Sequence, residues 1–180
     1  FEVYYQPIYS VKKKRFVSAE ALIRLRHEDF GFISPEEFIP IAERNGLILG
    51  IGEFVFCEVC RFISEEHLLA RGIEYVDVNL SVVQCMQSTL YMQLLDIMKR
   101  FELPYHCISL EITETAAVLS QETLIENMDK LREYGINFSL DDYGTGFANT
   151  AAVVKYPFHA VKLDKSMVWS AMEDAKALSA

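Results

Sequence analysis

Val17-Ser18-Ala19-Glu20-Ala21-Leu22-Ile23-Arg24 is a run of strand-forming length with an acid, Glu20, set among apolar neighbours. Side chains alternate faces along a strand, so Glu20, Leu22 and Arg24 share one face. The tripeptide Glu20-Ala21-Leu22 means little alone, since its residues are common. It gains weight from four polar clusters at the ends of later apolar runs. These are Asn79, then Glu111 and Glu114, then Asp141-Asp142, then Lys162 and Asp164. Oxygen donors delivered from successive strand ends are how a parallel barrel builds a site on its rim. Donors of this kind suit hard cations such as Mg2+ or Mn2+.

Outward from that stretch, strand-like and helix-like segments alternate. Residues 3–9 and 16–26 predict two strands, antiparallel because their polar link is short. Ser34-Pro35-Glu36-Glu37 predicts a helix start, with Ser34 as N-cap and Pro35 at the first helical position; Asn45-Gly46 predicts its end. Helices are expected over 51–70, 82–101, 121–134 and 149–155, and again from Ser166. Strands are expected over 75–80, 107–112, 136–140 and 160–163. Repeated strand–helix units predict a mostly parallel sheet with helices outside it and right-handed crossovers. The expected class is α/β, a TIM-barrel-like (β/α)8 fold with an antiparallel first strand and about six of its eight strands present. One domain is expected over 1–180, opening on Phe1 rather than Met as a piece of a longer protein. It is expected to be incomplete at its C-terminus, with the last two strand–helix units missing.

Composition narrows the function. A net charge of −9 over 180 residues argues against a duplex nucleic-acid partner, which needs a basic face. The one basic run, Lys12-Lys13-Lys14-Arg15, reads as a solvated hairpin turn. Cys57 and Cys60 form a C-x-x-C inside a helical run, with no second pair to complete a zinc site. With Cys85 and Cys107 they read as buried thiols, and nothing demands a disulfide. No apolar run approaches the roughly 18 residues of a membrane span. A cytoplasmic domain is expected, on a parent that could be membrane-tethered.

Singly, each polar cluster has a plain structural reading. Glu111 and Glu114 could be strand-end and helix-start acids, Asp141-Asp142-Tyr143-Gly144 a turn, and Lys162 an ion-pair partner of Asp164. In this order, all at strand ends, those readings weaken together.

The full set resembles the EAL domain family of cyclic di-GMP phosphodiesterases. The resemblance runs through Tyr5-Gln6-Pro7-Ile8, Glu20-Ala21-Leu22-Ile23-Arg24, Ser34-Pro35-Glu36-Glu37-Phe38-Ile39-Pro40 and Val78-Asn79-Leu80-Ser81. It continues in Leu110-Glu111-Ile112-Thr113-Glu114, Asp141-Asp142-Tyr143-Gly144-Thr145-Gly146-Phe147 and Val161-Lys162-Leu163-Asp164. It implies metal-dependent hydrolysis of cyclic di-GMP to linear pGpG with two Mg2+ or Mn2+ ions. Glu20, Asn79, Glu111, Asp141 and Asp142 would be the metal ligands, with Asp141 shared between the ions. Lys162, with Glu20, Asp141 and Asp142, would be catalytic. Arg24 and Asp164 would meet the substrate, and Glu114 would hold the loop after the fifth strand. That loop is often at a dimer contact in the family, so a homodimer of the complete domain is implied. An upstream sensory or cyclase domain is compatible with it.

Some features depart from the family. Two of its functional positions, a glutamate and a glutamine, fall beyond Ala180, so weak or absent turnover is expected of the 180-residue chain alone. Tyr143 and Phe147 exchange the more usual aromatics, and Asp77 is an extra inward acid, read as a hydrogen-bonded core group in preference to a partner of the neighbouring ligands. Two alternatives from other classes stay open: a catalytically silent cyclic di-GMP receptor, and a regulatory scaffold that binds no nucleotide.

Overall fold

A computed structural model describes residues 1–113, 116, 121–144 and 156–173. The predicted hairpin is present: β1 (Glu2–Ser10) pairs antiparallel with β2 (Arg15–His27). The lysines lie in the turn between them, and Lys13 and Arg15 each reach Glu74 at 2.7 Å. A short strand that the sequence reading did not anticipate, β3 (Gly31–Ile33), pairs with the far end of β2.

Helices α1 (Pro35–Arg44) and α2 (Ile48–Glu65) follow. Ser34 caps α1 as expected, its hydroxyl accepting from the Glu36 amide at 3.3 Å. α2 starts and ends earlier than the expected 51–70. His67 takes a left-handed φ of 50°, and the Leu68 amide donates back to the Ile63 carbonyl at 3.1 Å, closing the helix.

β4 (Tyr75–Leu80), β5 (Ile108–Thr113), β6 (Asn137–Tyr143) and β7 (Ala160–Leu163) extend the sheet. The strand order is β1-β2-β4-β5-β6-β7, and every pair after the hairpin is parallel. The six expected strands thus form the main path, with β3 as an annex on β2. Between β4 and β5 the chain forms α3 (Val82–Cys85) and α4 (Leu90–Arg100); α5 (Gln121–Glu133) precedes β6, and α6 (Lys165–Glu173) follows β7. The expected helix over 149–155 lies outside the described residues.

The single helix expected over 82–101 is broken, and Asn127 of α5 shows why. In a continuous helix the Tyr91 amide would donate to the Gln87 carbonyl. Instead Asn127 Nδ2 donates to the Gln87 carbonyl at 2.9 Å, and Asn127 Oδ1 accepts from the Tyr91 amide at 3.3 Å.

Strand alternation sorts the two sheet faces. Val76, Val78, Ile108, Leu110, Ile112, Phe138 and Leu140 join the apolar core with Phe56, Val59, Leu94, Met98, Leu124 and Met128 from the helices. The other face of the same strands carries Ser18, Asp77, Ser109, Glu111 and Ser139, all buried. That polar face supports the site.

Candidate active site

Register sets out the cluster. Glu20 pairs with Asp77, Asp77 with Ser109, Asn79 with Glu111, and Thr113 with Asp141. Glu20, Asn79, Glu111 and Asp141 therefore climb the inner face toward the carboxyl ends of adjacent parallel strands, where an α/β sheet exposes its functional groups. Asn79 Nδ2 donates to Glu20 Oε1 at 3.1 Å. Lys162 Nζ donates to Glu20 Oε2 at 2.8 Å and presses against Glu111 Oε1 as an ion pair. The simpler pairing of Lys162 with Asp164 is thereby displaced. Asp164 instead accepts from the Ser166 amide at 2.8 Å and from the Ser166 hydroxyl, capping α6 and holding its carboxyl below the usual range.

The electrostatics follow from burial. Glu111 is 1% exposed, and neither of its oxygens accepts a hydrogen bond of ordinary geometry. Burial pushes its carboxyl up to about 8, opposed by Lys162 and reinforced by the charges of Asp77 and Glu20. Asp77, the extra acid, is raised by burial against hydrogen bonding from Ser109 and the pull of Lys162. Asp141 is raised by burial as well, with Lys162 opposing and Asp142 adding to the rise. Burial works against the charge on Lys162, but Glu111 and Glu20 outweigh it and keep the ammonium protonated.

Asp142 follows Asp141 at an irregularity in β6. Leu140 pairs with Val161 and Tyr143 with Leu163, so β6 spends one more residue than β7 between those pairs. Asp141 and Asp142 together oppose Lys162 across this bulge, and Asp142 adopts a left-handed φ of 53°. Consecutive residues of a regular strand point to opposite faces; a bulge beside an active site re-aims one of them.

Arg24 lies four residues beyond Glu20 on the same face, with Nη1 donating to the Ile23 carbonyl at 2.8 Å. It borders a cavity of about 290 Å³ with Asn79, Ser81 and Thr113, floored by Ile39, Ile48 and Ile51. Glu114 lies outside the described residues, as do Thr145, Gly146 and Phe147. Sequence reasoning missed the Lys162 bridge and the bulge. The adjacent Asp141-Asp142 pair was a signal for the bulge, since only an irregular strand gives two neighbouring acids one role.

These residues fit a hard divalent cation. Buried Glu111 has one oxygen against Lys162 and the other without a hydrogen-bond partner, and the carboxylates of Glu20 and Asp141 and the amide oxygen of Asn79 stand on the same face of the sheet. Among the described residues, no three His, Cys, Asp or Glu side chains converge closely enough to hold an ion unaided. The set that does converge includes an amide and is bridged by Lys162.

A parallel α/β sheet with carboxylates, an amide and a lysine on successive strand ends defines a barrel-type domain with an acidic rim. The EAL domain model matches residues 1–180, and the chain belongs to that family. It is 34% identical over 168 residues to signaling protein YkoW of Bacillus subtilis, covering 93% of this chain and 21% of the relative. It is 31% identical over 167 residues to cyclic di-GMP phosphodiesterase NbdA of Pseudomonas aeruginosa, covering 93% of this chain and 21% of the relative. The chain thus spans about a fifth of the length of these curated relatives. The solved PaMucR phosphodiesterase, a c-di-GMP complex, superposes with a TM-score of 0.88 at 29% identity, over 99% of this chain and 72% of that one. Among the described residues, no helix is long and apolar enough to cross a membrane.

Proposed function

We propose that the domain to which this chain belongs binds cyclic di-GMP across the strand-end cluster and hydrolyses one of its two phosphodiester bonds, giving linear pGpG. The observation that carries this is the convergence of Lys162 on Glu20 and buried Glu111 beside Asn79, with the second Glu111 oxygen left without a hydrogen-bond partner. Family membership and the likeness to the phosphodiesterases NbdA and PaMucR support it.

Glu20, Asn79, Glu111, Asp141 and Asp142 would hold two Mg2+ or Mn2+ ions. When bound, such ions neutralise phosphate charge and make a water a stronger nucleophile. The chain's own residues do the rest. Lys162, held protonated between Glu20 and Glu111, presents a positive Nζ to the phosphate and the attacking water. Arg24 offers a planar fork that matches phosphate oxygens. Attack by water forms a new P–O bond as the bridging P–O3′ bond breaks, leaving a 5′-phosphate and a 3′-hydroxyl. Asp164 adds to substrate binding from the rim, and Glu114 holds the loop after β6 in a homodimer of the domain.

The test uses the domain extended past Ala180 and follows linear product by chromatography, from cyclic di-GMP with Mg2+ or with Mn2+, beside a chelator control and Glu20→Ala. The expected result is product that needs the cation and disappears in the variant. Product that persists in Glu20→Ala would place the chemistry elsewhere. Saturable binding without product would make the domain a receptor.

A further inference from the structure

β1 runs antiparallel to β2, so its first residues lie at the rim. Glu2 pairs with Arg24 and Tyr4 with Leu22, which puts Tyr4 on the face that carries Glu20 and Arg24. Phe32 of β3 pairs with Arg26, two residues beyond Arg24 on that same face. The two rings meet edge to face, with centroids 6.3 Å apart at 81°. The Arg24 guanidinium carbon lies 5.9 Å from the Tyr4 ring centroid, and that of Arg26 lies 4.4 Å from the Phe32 ring centroid. Both rings are exposed nonetheless, Tyr4 by 45% and Phe32 by 53%.

We propose that Tyr4 and Phe32 form a stacking shelf for one guanine of the bound dinucleotide, with Arg24 and Arg26 as cationic flanks. The proposal rests on the cyclic di-GMP reading of the site. A cyclic dinucleotide carries two flat bases on one phosphate ring. With one diester at Glu20 and Arg24, the bases extend away from the cluster along the rim. Tyr4 pairs only two residues from Glu20 along β2, about 7 Å of strand. Aromatic faces and guanidinium planes are the usual surfaces on which an unpaired base stacks. The shelf would set preference for a large purine, while the carboxylate cluster handles the phosphate whatever base is attached.

The test is calorimetric titration of the 180-residue chain with cyclic di-GMP in saturating Ca2+. Tyr4→Ala and Phe32→Ala are compared with Tyr4→Phe and Phe32→Trp, and Ca2+ binding is measured alone in each. The expected result is binding weakened about tenfold in each alanine variant. The aromatic replacements restore it, and Ca2+ affinity stays unchanged throughout. Wild-type binding with equal affinity in the alanine variants would overturn the shelf and leave the site intact. Calcium binding with no nucleotide binding in wild type would overturn the shelf and the site reading together.

Discussion

Lys162 stands between Glu20 and Glu111, and much of the site's behaviour turns on it. Removing one member of a partly buried ion pair leaves the other charge without compensation, which costs more than the pair contributes. Lys162→Met should therefore lower stability in a chelator by roughly 2–4 kcal/mol, read from urea denaturation. Saturating Mg2+ should recover most of that loss, because a cation replaces the missing charge. An equal loss with and without Mg2+ would contradict the reading. The carboxylates add a pH dependence. Glu111 is raised to about 8, and Asp77 and Asp141 are raised too, each chiefly by burial. The folded chain thus binds protons more tightly than the unfolded chain between the ordinary carboxylate range and about 8. Without divalent cations, stability should fall as pH rises through that window. Denaturation midpoints across it should decline in a chelator and flatten with Mg2+, and a profile unaffected by Mg2+ would count against the site. The identities of Glu20, Asn79, Glu111 and Asp141 were legible from alternation and strand ends. The Lys162 bridge was not, because sequence neighbours cannot show which carboxylates a strand-borne lysine meets across a sheet.

Local signals placed most of the helices and strands where they are. The Ser34-Pro35 start of α1 and the strand-end positions of the acids were readable because capping and alternation act over a few residues. The break between α3 and α4 was not, since Asn127 lies 40 residues from Gln87, whose carbonyl it occupies. β3 escaped notice for another reason. Three residues, Gly31-Phe32-Ile33, are too short to show a period. Contact between α2 and α3 yields a sharp expectation. A Cβ at Gly52 would run into the side-chain amide of Gln84. Gln84 is buried and holds a capping box, its Oε1 accepting from the Ser81 amide at 3.1 Å. Gly to Ala inside a helix ordinarily stabilises by about 1 kcal/mol. Gly52→Ala should instead destabilise by about 1–2 kcal/mol, the worth of a lost cap. Combined with Gln84→Ala, the two losses should add to less than their sum in a double-mutant cycle. Full additivity would show that the contact is not the cause.

The molecule as a whole is a sheet with one apolar and one polar face. Helices cover the apolar face, and the polar face carries the acids to a common rim. That division was implicit in the sequence, because Val76, Val78 and Leu80 alternate with Asp77 and Asn79, and Ile108, Leu110 and Ile112 with Ser109 and Glu111. The same alternation lets a chain with a net charge of −9 suit the phosphodiester ligand proposed for it. On that proposal the positive charge comes from bound cations, with Lys162 and Arg24 as the fixed contribution. The most direct measurement is calorimetric binding of cyclic di-GMP to the wild-type chain and to Glu20→Ala, each with Ca2+ and with a chelator. The account predicts saturable binding by the wild type in Ca2+ alone, and none by the variant. Binding that persists in chelator and survives Glu20→Ala, or no binding by the wild type in Ca2+, would contradict it.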